Sequence, residues 1–302
     1  MTVRLGVESV GSGVRRSSVQ DMFILLHGFS YERELALVLW GFYDRSSTHS
    51  GTRVSTLCGF LGTFELLNDL EKRWFGVLDK PCWPKRPKEF HAVDCAHGSG
   101  EFTDWSFAER LAIFGDLVGV IIESDLIALG SIVIAEDLNK LQSDESELLN
   151  SQGLGTPLDL CMQYILQRSI AWTQRHAENQ KWTPEIGLIF DIENPEEMER
   201  IFAFFNLYKK KHGFGNILHS IGFGPSEKYG PLQAADLLAF GTYRYEMRRR
   251  FPEEVEPDFP VLPAFTKMLE RIAREGGGYD LEALKKLVAI VKDHPYGQSI
   301  SI

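Results

Sequence analysis

Residues 36–62, ALVLWGFYDRSSTHSGTRVSTLCGFLG, contain two apolar segments joined by a short polar connection. The first segment, Ala36 to Tyr43, predicts a buried strand that ends at Asp44, and the second, Val54 to Leu61, predicts another strand. The connection from Arg45 to Thr52 is rich in serine, which is typical of a turn. Because the connection is short, we predict that the two strands pair as an antiparallel hairpin.

Strand and helix patterns alternate after this hairpin. Prolines predict a loop at 80–88, and a polar insertion is predicted at 136–155. Together the patterns predict the α/β class, a mixed sheet in which an antiparallel hairpin is followed by strand-helix units, flanked by helices. The predicted strands are 127–134, 186–190 and 217–223, and the predicted helices are 65–78, 106–123, 157–177, 194–213, 231–250, 262–274 and 281–292.

The chain is long enough for one large domain. Residues 1–32 are rich in glycine and serine and predict a poorly ordered extension. Residues 33–293 are predicted to form a single domain that includes the C-terminal helices, and residues 294–302 are predicted to be a tail.

Composition narrows the classes of function. The formal net charge of −10 argues against a protein that coats nucleic acid through a broad basic surface. Four cysteines without a Cys-x-x-Cys pair, and apolar runs far shorter than a bilayer span, predict a cytoplasmic protein without a membrane partner. Gly11 and Gly13 lack the context of a phosphate loop. We expect neither a nucleotide cofactor nor haem.

Three aspartates are candidates for an acidic site. Asp44 and Asp191 each end a predicted strand, and the carboxyl ends of strands are where α/β proteins build sites. Asp236 lies in an apolar helix, where an unpartnered carboxylate costs several kcal/mol. If the three converge, a hard divalent cation such as Mg²⁺ or Mn²⁺ would relieve their repulsion.

Structural interpretations of these aspartates stay open. Asp44 and Asp191 are also typical of turn or helix-cap residues, and Asp236 could be a buried carboxylate that accepts backbone N–H groups. A purely structural acidic cluster in an unrelated α/β protein is therefore a further hypothesis. Convergence of the three side chains distinguishes it from a metal site.

A second group of candidates lies on and near the loop that follows the prolines. His91 and Asp94 could face a pocket as metal ligands, as a proton shuttle or as substrate contacts, although a hydrogen-bonded structural histidine fits the same pattern. Gln233 lies one turn before Asp236 on the same predicted helix face. We expect Gln233 to orient a ligand or the scissile group.

Seven segments of the chain resemble, in order, the domain-of-unknown-function 3800 family, over about residues 40–250. The most specific is the last, with the pattern apolar-Leu-Gln-x-Ala-Asp-Leu. The segments are Phe42-Tyr-Asp-Arg-Ser-Ser47, Thr56-Leu-Cys-Gly-Phe-Leu61, Trp74 with Leu78, Phe90-His-Ala-Val-Asp94, Gly100-Glu-Phe-Thr-Asp-Trp-Ser106, Phe190-Asp191 and Pro231-Leu-Gln-Ala-Ala-Asp-Leu-Leu-Ala239.

The resemblance implies a ribonuclease H-like fold in which acids from the first strand, a later strand and a late helix bind divalent metal. Carried over by motif, these acids are Asp44, Asp191 and Asp236. The family's first motif is usually Asp-Glu-Ser-Gly, whereas this chain has Arg45 in place of the glutamate. If that glutamate is a metal ligand, its replacement weakens Mg²⁺ binding; if it only shapes the turn, catalysis survives.

Two functional hypotheses follow. The first is a metal-dependent phosphodiesterase of nuclease type, in which Asp44, Asp191 and Asp236 hold Mg²⁺ or Mn²⁺ and His91 with Asp94 assists proton transfer or contacts the substrate. The second is a catalytically degenerate ribonuclease H-like module that binds nucleic acid or a protein partner, with Arg45 as an ion-pair or substrate-binding residue. The direction of the Arg45 side chain distinguishes the two hypotheses.

Overall fold

The computed structural model describes residues 19, 21–22, 38–46, 52–177, 185–192, 194–211, 213–255, 266–270 and 277–293 of the 302-residue chain. Most of the extension at 1–32, most of the predicted helix at 262–274 and the tail at 294–302 lie outside these residues. Val19 and Met22, which fall within the predicted extension, are buried against the core.

The described residues form one six-stranded mixed sheet in the order β5-β4-β1-β2-β3-β6. The predicted hairpin is confirmed, since β1 pairs antiparallel with β2 and Asp44 lies opposite Cys58. β2 pairs antiparallel with β3, and the other pairs are parallel. The strands are β1 (Val38–Ser46), β2 (Val54–Gly62), β3 (Ile127–Ile134), β4 (Glu185–Asp191), β5 (Leu218–Gly224) and β6 (Gly277–Tyr279).

Helices cover both faces of the sheet, which confirms the α/β class and the flanking helices. One face, called here the first face, packs against α1, α2, α3 and α7; the second face packs against α4, α5, α6 and α8. The helices are α1 (Phe64–Leu78), α2 (Ala92–His97), α3 (Phe107–Glu123), α4 (Ala135–Ser151), α5 (Pro157–Ala177), α6 (Pro195–Lys211), α7 (Gly230–Arg250) and α8 (Leu281–Asp293).

Alternation along β1 divides its side chains between the two cores. Trp40 and Phe42 belong to the core of the first face, whereas Leu39 and Tyr43 belong to that of the second. This is the period of two that a strand imposes on its side chains. The same alternation determines on which face each polar residue at the end of β1 lies.

α6 and α7 begin close to where the sequence predicts. The Asn194 side chain accepts the backbone N–H of Glu197 at 3.0 Å, as expected for a helix cap. Three lysines form the last turn of α6, where cations favour the helix dipole. α7 packs across β1 and β2, and the Thr56 hydroxyl donates to the carbonyl of Ala239 at 3.3 Å.

Two regions differ from the prediction. The prediction of a polar insertion at 136–155 is wrong for most of that range. Helix α4 occupies Ala135–Ser151 and buries three leucines against the second face. Residues 277–279, for which the sequence predicts no strand, form β6 and pair with β3. Among the described residues, no helix combines the length and the apolar character that crossing a bilayer requires.

Candidate functional site

Asp44 and Asp191 lie at the carboxyl ends of two neighbouring parallel strands. Tyr43 and Phe190 are register partners in β1 and β4, and their rings stack at 5.6 Å in the core of the second face. Because strand side chains alternate, the next residues, Asp44 and Asp191, point to the first face. The chain leaves β1 toward β2 and leaves β4 toward β5, in opposite directions across the sheet. α/β proteins commonly bind ligands at such a divergence.

Asp191 is held by the backbone that follows β4 and β5. Its Oδ1 accepts the N–H of Ile192 at 2.8 Å and that of Ser226 at 3.0 Å. Burial nevertheless raises the pKa of Asp191 above its ordinary value, against the opposing effect of these hydrogen bonds and of nearby His91. Asp191 is therefore fixed in position and retains its proton more readily than an exposed aspartate.

Asp236 is 7% exposed and faces this same end of the sheet from α7. Its Oδ2 accepts the backbone N–H of Ala92 at 2.7 Å. Burial raises the pKa of Asp236 to about 6, with further upward contributions from Asp191 and Asp94, while His91 and the Ala92 amide oppose the shift. The structure thus brings Asp236, Asp191, Asp94 and His91 within electrostatic range of one another.

His91 and Asp94 form a pair at the start of α2. His91 Nδ1 lies 3.2 Å from Asp94 Oδ2, and the Ser99 hydroxyl donates to Asp94 Oδ1 at 2.6 Å. Desolvation lowers the pKa of His91, but the charges of Asp236, Asp94 and Glu89 outweigh it, and the net shift is upward. The imidazole is 52% exposed, so His91 faces solvent at the edge of the acidic cluster.

Glu89 is a member of the cluster that the sequence analysis did not select. The side chain is half-buried, and burial raises its pKa, with Glu227 and Asp191 adding to the shift and His91 opposing it. Glu89 lies two residues before His91, in a bend of the proline-rich loop. Its place in the cluster depends on the path of that loop.

Gln233 is completely buried and lies behind the cluster. Its Oε1 accepts the indole N–H of Trp74 and the backbone N–H of Phe90, both at 2.9 Å. Its Nε2 donates to the carbonyl of Ser226 at 2.9 Å. Gln233 therefore binds the segment that carries His91 and the loop whose Ser226 N–H donates to Asp191.

Arg45 lies away from the acidic cluster. Since Asp44 points to the first face, the next residue points to the second face, where the Arg45 guanidinium forms an ion pair with Glu197 at the start of α6. The Arg45 backbone N–H donates to Asp44 Oδ1 at 2.7 Å. The guanidinium of Arg45 is therefore paired on the face opposite to that of Asp44.

A metal site is not already assembled in the described part of the chain. No group of three or more histidine, cysteine, aspartate or glutamate side chains there is arranged to hold a metal ion. Asp44 shares the face and sheet end of Asp191, but Asp44, Asp191 and Asp236 do not form such a group in the described part of the chain. The four cysteines are free thiols, and three of them are buried.

The fold and the cluster define an α/β protein with an acid-histidine site at the carboxyl ends of parallel strands. Comparison with protein-family models and with curated proteins finds no match to this chain.

Proposed function

We propose that this chain is a divalent-cation-dependent phosphodiesterase of nuclease type with a ribonuclease H-like fold. The observation that carries the proposal is the approach of buried Asp236 to Asp191 and His91, in which each acid has a raised pKa. The antiparallel hairpin followed by strand-helix units supports the fold assignment. The resemblance to the domain-of-unknown-function 3800 family selects the same aspartates.

The donor chemistry of the cluster fits Mg²⁺ or Mn²⁺. Asp236 uses Oδ2 for the Ala92 amide, and no described residue donates a hydrogen bond to its Oδ1. Mg²⁺ usually takes one or two protein carboxylates and completes its shell with water and substrate phosphate, so a preassembled group of three side chains is not required. Asp191 and Asp236 would hold the cation, with Asp44 as the third carboxylate on this face. A bound cation supplies Lewis-acid stabilisation of phosphate charge and a more acidic bound water.

His91 supplies the proton chemistry. Its Nδ1 is directed to Asp94, which fixes the ring and leaves Nε2 for the substrate. Nearby carboxylates raise the pKa of His91 and so favour its imidazolium form. A positioned imidazolium can protonate the oxygen that leaves phosphorus. The charge of Glu89 contributes to the same upward shift of the His91 pKa.

The competing hypothesis is a degenerate module that binds nucleic acid or a protein partner. Its main support in the sequence is Arg45, because a cation beside the first carboxylate suits an ion pair better than a metal site. The ion pair of Arg45 with Glu197 lies on the second face, so it does not occupy the place of a metal ion beside Asp191 and Asp236. The phosphodiesterase is therefore the better-supported proposal.

Anomalous diffraction from crystals of the full chain soaked in Mn²⁺ tests the site. We expect a peak with oxygens of Asp191 and Asp236 at about 2.0–2.3 Å.

In parallel, labelled single-stranded DNA, duplex DNA and RNA are incubated with the protein in Mg²⁺ or Mn²⁺, and with a chelator. Asp191→Asn should abolish cleavage and keep the fold, whereas Asp116→Asn, which alters an exposed aspartate paired with Lys80, should cleave normally. Retained cleavage by Asp191→Asn would remove Asp191 from the mechanism.

A further inference from the structure

The side chain of Gln233 joins the three parts of the candidate site. It lies in the first turns of α7, one turn before Asp236, and has no exposed surface. Its Oε1 binds α1 through Trp74 and the segment before α2 through Phe90, and its Nε2 binds the loop after β5 through Ser226. A buried amide with this many partners is energetically costly to replace.

Gln233 and Asp236 together hold the segment that carries His91. Gln233 accepts the N–H of Phe90 and Asp236 accepts the N–H of Ala92, so two residues of one helix face bind alternate amides of an extended segment. The residue between them is His91, whose imidazole is half-exposed and lies within electrostatic range of Asp236. The position of the imidazole relative to Asp236 depends on both hydrogen bonds.

Gln233 also holds the loop that fixes Asp191. Its Nε2 donates to the carbonyl of Ser226, and the N–H of the same Ser226 donates to Asp191 Oδ1 at 3.0 Å. Gln233 therefore links α7, through Ser226, to the Asp191 carboxylate at the end of β4. Ser226 lies 35 residues from Asp191 in the sequence, so the tertiary structure reveals this connection.

We infer that Gln233 is the positioning residue of the site, whose side-chain amide sets the separation of Asp191, His91 and Asp236. The amide is suited to this because one oxygen accepts two N–H groups and the nitrogen donates to a carbonyl. A glutamic acid can reproduce the pattern only while protonated. Once ionised, it presents a second acceptor to the Ser226 carbonyl and repels it.

The test compares the full-length wild type with Gln233→Glu and Gln233→Met by hydrogen-deuterium exchange at pH 5.5 and pH 8. Exchange is expressed relative to the wild type at the same pH. For Gln233→Glu we expect exchange of the Ser226 segment within about twofold of the wild type at pH 5.5 and at least tenfold faster at pH 8. Gln233→Met, which is neutral and forms none of these hydrogen bonds, should loosen the Ser226 and Phe90 segments at both pH values.

The matched control is Gln163→Glu. Gln163 is 8% exposed and lies on α5, on the second face of the sheet, so the substitution buries the same carboxyl far from the site. We expect no pH-dependent change at Ser226 in this variant. Such a change in Gln163→Glu, or wild-type exchange of the Ser226 and Phe90 segments in Gln233→Met, would overturn the inference.

The catalytic consequence rests on the proposed function and is measured separately. The cleavage rate of Gln233→Glu relative to the wild type should fall at least tenfold between pH 5.5 and pH 8, and that of Gln163→Glu should stay constant. If the wild type cleaves no substrate, the proposed function fails, while the exchange measurements still decide whether Gln233 positions these segments. If exchange changes and relative cleavage does not, Gln233 has no positioning role in catalysis.

Discussion

The Asp236 carboxylate accepts the backbone N–H of Ala92, with 2.7 Å between Oδ2 and the amide nitrogen. This single contact agrees with two interpretations that the sequence left open. The carboxylate stabilises the start of α2, as a buried structural aspartate does, and it is simultaneously held beside Asp191 and His91. Because only Oδ2 is used by the described residues, the anchored carboxylate retains an oxygen for a ligand.

The first prediction concerns the stability of Asp236→Asn as a function of pH. The pKa of Asp236 in the folded protein is about 6, above the ordinary value of 3.8, so the folded state binds more protons than the unfolded chain between these values. The free energy of unfolding of the wild type therefore falls as pH rises through this window. Asparagine has no proton to lose, and its oxygen can accept the Ala92 N–H. The difference in free energy of unfolding between Asp236→Asn and the wild type should therefore shift in favour of the variant by on the order of 1–3 kcal/mol from pH 4 to pH 7.

Urea denaturation at several pH values measures this difference. Asp116→Asn is the control, because it removes an exposed carboxylate paired with Lys80 and should change stability little over the same range. A constant difference between Asp236→Asn and the wild type from pH 4 to pH 7 would contradict the raised pKa of Asp236.

The second prediction concerns the proton held by His91. The Asp94 carboxylate is among the groups that raise the pKa of His91, so Asp94→Asn should lower that pKa. If His91 acts as the acid in cleavage, the loss of activity at high pH should then begin at a lower pH than in the wild type. His91→Gln should reduce cleavage by about 10²-fold or more, the usual contribution of a positioned acid.

NMR titration of the His91 ring and the pH dependence of cleavage provide the two measurements. His97→Gln is the matched control, since His97 is exposed at the end of the same short helix and should leave both measurements unchanged. An unaltered His91 titration in Asp94→Asn would show that Asp94 does not interact with the ring. An altered titration with an unaltered cleavage profile would remove His91 from the proton transfer.

The third prediction concerns Arg45 and Glu197. Their ion pair is partly buried, with 14% and 24% of the side chains exposed. Arg45→Glu creates two facing carboxylates and should destabilise the protein by about 1–2 kcal/mol, and the charge reversal Arg45→Glu with Glu197→Arg should recover most of this loss. Since residue 45 faces away from the acidic cluster, neither variant should change Mn²⁺ affinity at the site. Tighter Mn²⁺ binding in Arg45→Glu would instead place this side chain among the metal ligands.

The sequence identified the parts of this site that depend on local structure. Asp44 and Asp191 could be placed at strand ends because apolar runs of strand length precede them, and parallel pairing then brings those ends together. Glu89 was missed because its membership depends on the path of the proline-rich loop. Two of the three partners of Gln233, Trp74 and Phe90, come from distant segments, so no local pattern encodes them.

The helix α4 was missed for a different reason. It starts directly after β3 with Ile134 at the cap position and no side-chain cap, and Glu145 interrupts its helical dihedrals. Its buried leucines are few among many polar residues, so the helical period is weak in the sequence. Packing against the second face stabilises a segment whose own signals favour a loop.

The last prediction concerns Glu71, a completely buried glutamate of α1. One oxygen accepts the N–H of Val19 at 3.1 Å and the other accepts the N–H of Gly230, where α7 begins, at 3.3 Å. Glu71→Gln would turn an amide NH₂ toward one of these N–H groups and leave that buried donor unpaired. We expect a loss of about 1–3 kcal/mol in the free energy of unfolding, measured by urea denaturation. Glu65→Gln, an exposed change in the same helix, should cost far less, and equal losses in the two variants would show that Glu71 does not anchor Val19 to the start of α7.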